Sequence, residues 1–228
     1  MCARFDAVFI DFYGTLAAGD RQAVEDTCAV IVADYGLAMT AADMARLWGD
    51  RFFALADRSN QDRFLNLYDC EMVSLRQTLA PLVGAVDPTP YCERLKRYWA
   101  SPDLHDDSLD LLAELDVPVC CVSNADTEDL LSAVALHGLR FDAVITSEDA
   151  RCYKPHERIF RDALDRMGAD PRRTIHIGDS LHSDVGGAGR LGITTVWICR
   201  ERRIYDVGRA QADHTIQSLK ELRRVLAS

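Results

Sequence analysis

The sequence predicts an α/β protein whose core is a doubly wound, mainly parallel sheet, with a helical domain inserted into that core. Two observations predict the core: short apolar runs rich in Val and Ile recur along the chain, and helix-like stretches separate the later runs. Such alternation is typical of an open sheet with helices on both faces. A third observation predicts the insertion, because residues 17–100 contain no comparable Val/Ile run.

Five apolar runs are predicted to be the strands of the sheet. Their apolarity is continuous rather than alternating, which is typical of strands that are covered on both faces. The predicted strands are Ala7 to Tyr13, Val117 to Asn124, Ala143 to Ser147, Thr174 to Asp179, and Thr194 to Cys199.

Helix-like stretches fall into two groups. The first group separates the later strands and is expected to cover the sheet: Thr127 to Leu136, His156 to Met167, and Ser183 to Leu191. The second group lies between the first two strands and consists of amphipathic segments with turn signals between them: Arg21 to Tyr35, Ala41 to Leu55, Arg63 to Leu79, and Pro90 to Tyr98. We therefore assign residues 1–16 and 101–228 to a catalytic core and residues 17–100 to a helical cap.

Charge and hydropathy limit the kinds of partner. The 228 residues carry a formal net charge of −10, and the Lys and Arg residues are scattered along the chain. Nucleic acid is not an expected partner, because a phosphate backbone needs a concentrated cationic face. No apolar run reaches the roughly 18 residues that a membrane span requires, so no membrane partner is expected. A small anionic substrate is compatible, since one Lys and one metal ion in a cleft outweigh a distant acidic surface.

The eight cysteines indicate a cellular compartment. They form no Cys-x-x-Cys pair, and some lie inside apolar runs such as Val119-Cys120-Cys121-Val122. A thiol in such a run behaves as a small buried hydrophobic group. We therefore expect free thiols rather than disulfides or a zinc site, and a reducing, cytoplasmic setting.

Polar residues that can take part in catalysis or binding follow four of the five predicted strands. On an open parallel sheet the carboxyl ends of the strands meet at one crevice, so these residues are expected to converge there. They are Asp11 and Thr15 after the first strand, Ser123 and Asn124 at the end of the second, Lys154 after the third, and Asp179 with Asp184 after the fourth.

Each residue type suits a role in group transfer. The Asp11 carboxylate can attack a substrate atom and form a covalent intermediate, which divides one difficult step into two. Gly14 permits a tight turn that brings backbone amides to a bound anion, and Thr15 is expected to fix that turn. Taken singly, Asp11 also suits a turn, Ser123 with Asn124 suits a helix cap, and Lys154 suits a solvated surface. Their convergence favours the chemical interpretation.

The same motifs resemble those of the haloacid dehalogenase superfamily, in the order that this family shows and with a helical cap after the first motif. The resemblance implies a nucleophilic Asp11 that forms an aspartyl intermediate, substrate oxygens held by Gly14, Thr15, Ser123 and Asn124, and a Lys154 that neutralises charge. It also implies an Mg²⁺ ion bound by Asp11, the Tyr13 carbonyl, Asp179 and Asp184. The motifs are Asp11-Phe12-Tyr13-Gly14-Thr15, Ser123-Asn124, Lys154-Pro155, and Gly178-Asp179-Ser180 with Asp184.

Tyr13 departs from the pattern of the family's phosphatases. Most of those enzymes carry a second Asp two residues after the nucleophile, where it protonates the departing oxygen. A positioned acid contributes about 10²–10⁴-fold to such a step, and a tyrosine of pKa near 10 is a poor base for the hydrolysis that follows. The family's dehalogenases do carry Tyr here, because halide leaves without a proton. Tyr13 is therefore a candidate catalytic residue whose role in proton transfer stays open.

Three functions follow from these features. The acids at Asp179 and Asp184 favour an Mg²⁺-dependent phosphatase that acts on a small phosphorylated metabolite through an aspartyl-phosphate on Asp11, because clustered carboxylates repel each other without a cation. The alternative is a hydrolase of the 2-haloacid dehalogenase type, which Tyr13 favours. A third alternative is a binding member without catalysis, which would be expected to lose the chemical residues.

Overall fold

A six-stranded parallel sheet forms the centre of the computed structural model, which describes residues 5–200 and 209–227. Numbered along the chain, its strands are β1 (Ala7–Ile10), β4 (Val119–Ser123), β5 (Ala143–Thr146), β6 (Thr174–Gly178), β7 (Thr194–Ile198) and β8 (His214–Ile216). Their order in the sheet is β5-β4-β1-β6-β7-β8, and all five neighbouring pairs are parallel. The predicted fold class is thereby confirmed, and β8 is an additional strand that three residues of mixed polarity did not reveal.

The central strand β1 explains why the strand sequences are continuously apolar. Its four residues are buried and alternate between two hydrophobic clusters on opposite faces. Val8 and Ile10 belong to one cluster, and Ala7 and Phe9 belong to the other. A strand that is covered on both faces needs apolar side chains at every position.

Helices cover both faces of the sheet. On the face with Val8 and Ile10 lie α5 (Ser108–Glu114), α6 (Thr127–Leu136) and α10 (Leu222–Ala227). On the other face lie α7 (Ser147–Ala150), α8 (Glu157–Met167) and α9 (Gly186–Gly189). This arrangement is the doubly wound architecture that the alternation of strands and helices predicts.

Four helices between residues 20 and 100 form a helical insertion with its own hydrophobic cluster. They are α1 (Asp20–Asp34), α2 (Ala41–Ala56), α3 (Leu67–Val83) and α4 (Thr89–Ala100). The cluster contains Ile31, Met44, Trp48, Leu75 and Leu95, among others. The division into a core and a cap at residues 17 and 100 stays an interpretation. In the described ranges, no helix is both long and apolar enough to cross a bilayer.

The start of α3 corrects the predicted helix from Arg63 to Leu79. A short 3-10 turn covers Gln61–Arg63, and the α-helix begins at Leu67. The side chain of Asn66 accepts a hydrogen bond from the Asp69 backbone N–H at 2.8 Å and so caps the helix. Because Asn66 occupies the N-cap position, the helix begins at Leu67 and not at Arg63, where the amphipathic pattern begins.

Two short strands join the insertion to the sheet. β2 (Ala17–Ala18) and β3 (Asp103–Leu104) pair antiparallel, so the segments that lead into and out of the insertion lie side by side. The Tyr98 hydroxyl donates to the Ala18 carbonyl at 2.8 Å and ties the end of α4 to the first of these segments. We call β2 and β3 the linker strands.

A carboxylate from the sheet side caps a helix of the insertion. Asp126, directly before α6, is buried and accepts backbone N–H groups at the start of α3. Leu67 donates to Oδ1 at 2.6 Å and Tyr68 donates to Oδ2 at 3.0 Å. Since the first N–H groups of a helix have no partner within the helix, Asp126 satisfies two of them across the boundary.

Substituting Asp126→Ala is expected to lower the free energy of unfolding by roughly 2–4 kcal/mol, because two buried N–H groups lose a charged acceptor. Urea denaturation followed by circular dichroism measures this change. The control is Asp69→Ala, which removes an exposed acid from the first turn of the same helix and should cost roughly 0.5 kcal/mol. Equal effects of the two substitutions would contradict the capping role.

Candidate active site

The three central strands of the sheet bring the predicted residues to one edge. Asp11 follows β1, Ser123 ends β4, and Asp179 follows β6. Because β4 and β6 flank β1 and run parallel to it, these three strand ends are neighbours. The Asp11 backbone N–H donates to the Ile177 carbonyl at 2.9 Å, which holds the nucleophile loop against β6. We define this loop as residues 11–16.

Lys154 joins two of the acids in the interior. It lies between α7 and α8, and its ammonium donates to Asp11 Oδ1 at 2.6 Å and to Asp184 Oδ1 at 2.7 Å. The third donor of the ammonium goes to the Val122 carbonyl at 2.9 Å. Asp11 is 5% exposed, Lys154 4% and Asp184 1%, so the attraction acts with little screening by water. Burial lowers the pKa of Lys154, but the two carboxylates reverse that effect and hold it above its usual range.

The main chain of Lys154 is held by Asn124. The Asn124 Oδ1 accepts from the Lys154 N–H at 2.7 Å, and its Nδ2 donates to the Lys154 carbonyl at 3.3 Å. Asn124 was predicted to bind substrate, and in the structure its amide positions the main chain of Lys154. A substrate contact by Asn124 stays a prediction.

Two hydroxyls orient the Asp11 carboxylate. Ser123 Oγ donates to Oδ1 at 3.3 Å, and Thr15 Oγ1 donates to Oδ2 at 3.2 Å. Burial raises the pKa of Asp11, Lys154 opposes this rise, and the Asp184 carboxylate adds to it. The nearby ammonium is therefore needed to keep the nucleophile ionised.

Asp184 is fixed from two further directions. His176 Nε2 lies 2.9 Å from Asp184 Oδ1, and the Ser180 backbone N–H donates to Oδ2 at 3.1 Å. Burial raises the pKa of Asp184, but Lys154 and His176 outweigh it and hold the pKa well below its usual range. His176 was not predicted as part of the site, although a histidine in the apolar run of β6 was a usable signal.

Gly178 makes room for the Asp184 side chain. A Cβ atom at position 178 would lie 2.1 Å from Asp184 Cγ, a distance that no real pair of these atoms tolerates. The glycine at the end of β6 is thus required for the close approach of Asp184, a role that the sequence motif alone did not reveal.

Three carboxylates form a candidate metal site. Asp11, Asp179 and Asp184 each offer an oxygen, and these oxygens lie within 4.8 Å of one another. Trp197 Nε1 donates to the Asp179 carbonyl at 2.9 Å and fixes the backbone there. Hard oxygen donors at this spacing fit Mg²⁺, which binds one or two carboxylates together with water and substrate oxygens. A ligand role for the Tyr13 carbonyl stays a prediction.

Tyr13 points its hydroxyl towards the helical insertion. The hydroxyl donates to the Trp99 carbonyl at 2.6 Å, and the ring packs edge-on against Phe12 and Trp99 with centroids 5.0 Å apart in each pair. Tyr13 is 8% exposed, and burial raises its pKa well above the usual range. The hydroxyl is therefore a poor proton donor to a leaving group, in contrast to the carboxyl that phosphatases are expected to carry here.

Gly14 and Arg200 stabilise the conformation of the nucleophile loop. Gly14 has a φ of +82°, which favours glycine, and its N–H donates to the Ala17 carbonyl at 2.9 Å. Arg200 Nη2 donates to the Thr15 carbonyl at 3.1 Å and pairs with Asp107 through both Nη atoms. Burial raises the pKa of Asp107, but Arg200 and the hydrogen bonds from Ser218 and Leu219 outweigh it and lower that pKa to about 2. This pair was not predicted, because its residues are distant in sequence.

A cavity of about 560 Å³ opens beside the nucleophile loop. Its lining includes Gly14 and Asp179 from the site, Arg200 beyond β7, and Arg21 at the start of α1. The cavity therefore gives a small molecule access to Gly14 and Asp179, and its lining carries the acids Asp20 and Glu25 as well as the two arginines.

Comparison with known proteins identifies the family. The family model described as haloacid dehalogenase-like hydrolase matches residues 5–192, which is most of the chain. This protein therefore belongs to the family of haloacid dehalogenase-like hydrolases, as the resemblance of its motifs predicted.

Its relatives in the family have different named activities. The chain is 28% identical to the (S)-2-haloacid dehalogenase of Pseudomonas fluorescens over 222 residues, which cover 95% of this chain and 93% of that protein. Identity is 32% with (S)-2-haloacid dehalogenase 4A of Burkholderia cepacia, but there the match spans 58% of this chain and 57% of that protein. The glyceraldehyde 3-phosphate phosphatase of Methanothermobacter thermautotrophicus is 26% identical over 213 residues, with coverage of 91% and 89%.

The fold is likewise shared with solved structures. A crystal structure of a dehalogenase with an intermediate complex superposes with a TM-score of 0.77 at 25% identity, and the match covers 100% of both chains. The comparisons thus establish a hydrolase of this family and leave two substrate classes to choose from.

Substituting Gly178→Ala is expected to displace Asp184 and lower the free energy of unfolding by about 1–3 kcal/mol, as overpacking of a rigid interior does. Thermal and urea unfolding measure the loss. The matched control is Gly49→Ala in α2, where an added Cβ meets nothing within 4 Å; this change should raise stability by about 0.5–1 kcal/mol. A Gly178→Ala protein as stable as the wild type would show that Asp184 can move without cost.

Proposed function

We propose that this hydrolase cleaves a bond whose leaving group departs as a stable anion, without a proton from the enzyme, through a covalent intermediate on Asp11. The observation that carries the proposal is the Tyr13 hydroxyl, which donates to the Trp99 carbonyl at 2.6 Å. An alkoxide leaving group needs a proton in the transition state, whereas halide or another weakly basic anion does not.

The residues around Asp11 support a nucleophilic role. Ser123 and Thr15 each donate to one carboxylate oxygen, which limits the rotation of the carboxylate. Lys154 stabilises the ionised form and can neutralise charge that develops during attack. These contacts support an oriented carboxylate at a strand end, in the same loop as Gly14, which lines the cavity of about 560 Å³.

The first candidate substrate is a 2-haloacid. The protein resembles an (S)-2-haloacid dehalogenase over 95% of its length, and Tyr13 in place of an acid suits a halide leaving group. In the proposed reaction Asp11 attacks the carbon that bears the halogen, and the carbon–halogen electron pair leaves with the halide. Water then attacks the ester carbonyl carbon, which releases a 2-hydroxyacid and regenerates Asp11. This order of support reverses the expectation from sequence, in which the phosphatase came first.

The second candidate is an Mg²⁺-dependent phosphatase, and a specific observation favours it. Asp11, Asp179 and Asp184 offer oxygens within 4.8 Å of one another, and the Lys154 ammonium pairs with two of these acids, Asp11 and Asp184. When bound by these residues, Mg²⁺ would neutralise their charge and that of a transferred phosphoryl group. The substrate would be a small phosphorylated metabolite with a weakly basic leaving group, such as an acyl or aryl phosphate. A cytoplasmic location is proposed for either candidate from the free cysteines.

Single turnover in H₂¹⁸O, with enzyme in excess, separates the two candidates. An alkyl ester on Asp11 is hydrolysed at its carbonyl carbon, so ¹⁸O enters the Asp11 carboxylate, whereas an aspartyl-phosphate hydrolysed at phosphorus sends ¹⁸O into phosphate. We expect label on Asp11 with 2-chloropropionate, measured by tandem mass spectrometry of the tryptic peptide of residues 5–21. Halide release should also persist in EDTA, while phosphate release should stop.

The control for this experiment is Asp11→Asn, which removes the nucleophile and should abolish both product and label. Absence of halide and of phosphate release across both substrate classes would contradict the proposed hydrolysis. Label in phosphate alone would transfer the proposal to the second candidate.

Substituting Tyr13→Phe tests the leaving-group argument. If the hydroxyl serves only as a donor to Trp99, kcat should fall less than about 10-fold, because one neutral hydrogen bond is lost. A fall of about 10²–10⁴-fold would identify Tyr13 as a proton donor. The measurement is steady-state kcat on the substrate that the isotope experiment selects, and a pH profile of the same shape as the wild type supports the structural role.

A further inference from the structure

A buried acid in the helical insertion lacks the partners that an ionised carboxylate requires. Glu71 in α3 is 4% exposed, and its Oε1 accepts from Trp99 Nε1 at 2.8 Å. Its Oε2 is buried and has no hydrogen-bond partner within residues 5–200 and 209–227. Since a buried charge with one hydrogen bond is costly, this environment favours the neutral carboxylic acid.

Glu71 is connected to the nucleophile loop through one residue. Trp99 near the end of α4 accepts the Tyr13 hydroxyl at its carbonyl and packs edge-on against the Tyr13 ring. Its indole N–H meanwhile donates to Glu71. The orientation of Trp99 is thus set by Glu71 on one side and transmitted to Tyr13, two residues after Asp11, on the other.

We propose that Glu71 is a positioning residue that acts in its neutral form, orienting Trp99 and through it the nucleophile loop at Tyr13. The role concerns the site of the proposed function and rests on that function for its activity measurement. Its structural measurement, hydrogen exchange of the loop, does not depend on which substrate the enzyme uses.

The surroundings of Glu71 oppose its ionisation. Asp126 and Asp129 face it from the start of α6, Cys92 from α4, and Tyr153 from the segment before Lys154. Each of these four groups is neutral or negative. Burial raises the pKa of Glu71 to about 8, Trp99 opposes the rise, and the two aspartates reinforce it.

The raised pKa of Glu71 determines how the stability of the protein changes with pH. The folded protein keeps Glu71 protonated well above the usual range of a glutamate, whereas the unfolded chain ionises it near pH 4.5. The contribution of Glu71 to stability therefore declines as pH rises towards 8. Above about pH 8 the folded state carries a buried charge that Asp126 and Asp129 repel. An ionised carboxylate accepts the Trp99 N–H more strongly than the neutral acid does, so it is this repulsion that displaces Glu71 from its position beside Trp99.

Glu71→Gln and Glu71→Met test the proposal together. Gln matches the neutral acid in shape and keeps an acceptor for the Trp99 N–H, so kcat/KM at pH 7 should stay within about 3-fold of the wild type. Met fills the space without an acceptor, so kcat/KM should fall about 10-fold and amide exchange in residues 11–18 and 99–104 should accelerate. Wild type should lose activity with a midpoint near pH 8, and Glu71→Gln should not show that decline.

Two further variants keep the test decisive. Trp99→Phe removes the indole N–H but keeps a ring, and it should accelerate exchange in residues 11–18 as Glu71→Met does. Glu128→Gln, an exposed acid on α6, should change neither exchange nor the pH profile. Equal impairment of Glu71→Gln and Glu71→Met, or exchange in residues 11–18 that neither Glu71→Met nor Trp99→Phe alters, would overturn the proposal. If the protein shows no hydrolytic activity, the proposed function is contradicted, and hydrogen exchange alone tests the positioning role of Glu71.

Discussion

The ammonium of Lys154, shared between Asp11 and Asp184, is the interaction on which the site depends. Two buried carboxylates that lie close together repel each other, and each tends to take up a proton unless a cation lies between them. Lys154 supplies that cation, and the Val122 carbonyl accepts a hydrogen bond from the remaining N–H of its ammonium. Loss of Lys154 would leave the two carboxylates uncompensated in the interior, and breaking a buried ion pair in this way typically costs about 3–5 kcal/mol. The close contacts among Asp11, Lys154 and Asp184 therefore constrain the position of every element that carries one of these residues.

The rest of the fold holds these three residues in place. The parallel pairing of β1 with β4 and β6 fixes the strand ends, and Asn124 holds the main chain of the lysine. His176 and the small volume of Gly178 fix Asp184. Stability and reactivity thus share one set of contacts, because the groups that pair to stabilise the folded state also keep the nucleophile ionised.

Sequence reasoning predicted the parts of this arrangement that leave a local signal. Continuous apolar runs revealed five of the six strands, and the polar residues that follow them converge as expected, although their individual roles stay predictions. Features that depend on partners brought together by the fold left weaker signals. His176 stands out only as a histidine in an apolar strand until its neighbour Asp184 is placed, and Glu71 resembles any helical acid until its burial is known.

Tyr13 shows how such a distant partner changes an interpretation. From sequence it marks a missing acid, and the choice between substrates depends on whether its hydroxyl can still deliver a proton. In the structure the same hydroxyl reaches a carbonyl of the helical insertion, so the residue contributes to the arrangement of the two parts of the protein. The same substitution is therefore explained by packing as well as by chemistry.

The linker strands indicate how a different insertion, with a different substrate specificity, could be joined to this core. The chain passes into and out of the helical insertion through one antiparallel pair, so another insertion could be grafted between Ala18 and Asp103 without interrupting the parallel sheet. Such a graft would still have to supply a carbonyl for the Tyr13 hydroxyl and a helix start with free N–H groups for Asp126. It would also have to replace the carbonyls of Leu65 and Gln61, which accept hydrogen bonds from Tyr153 and Arg151 of the core.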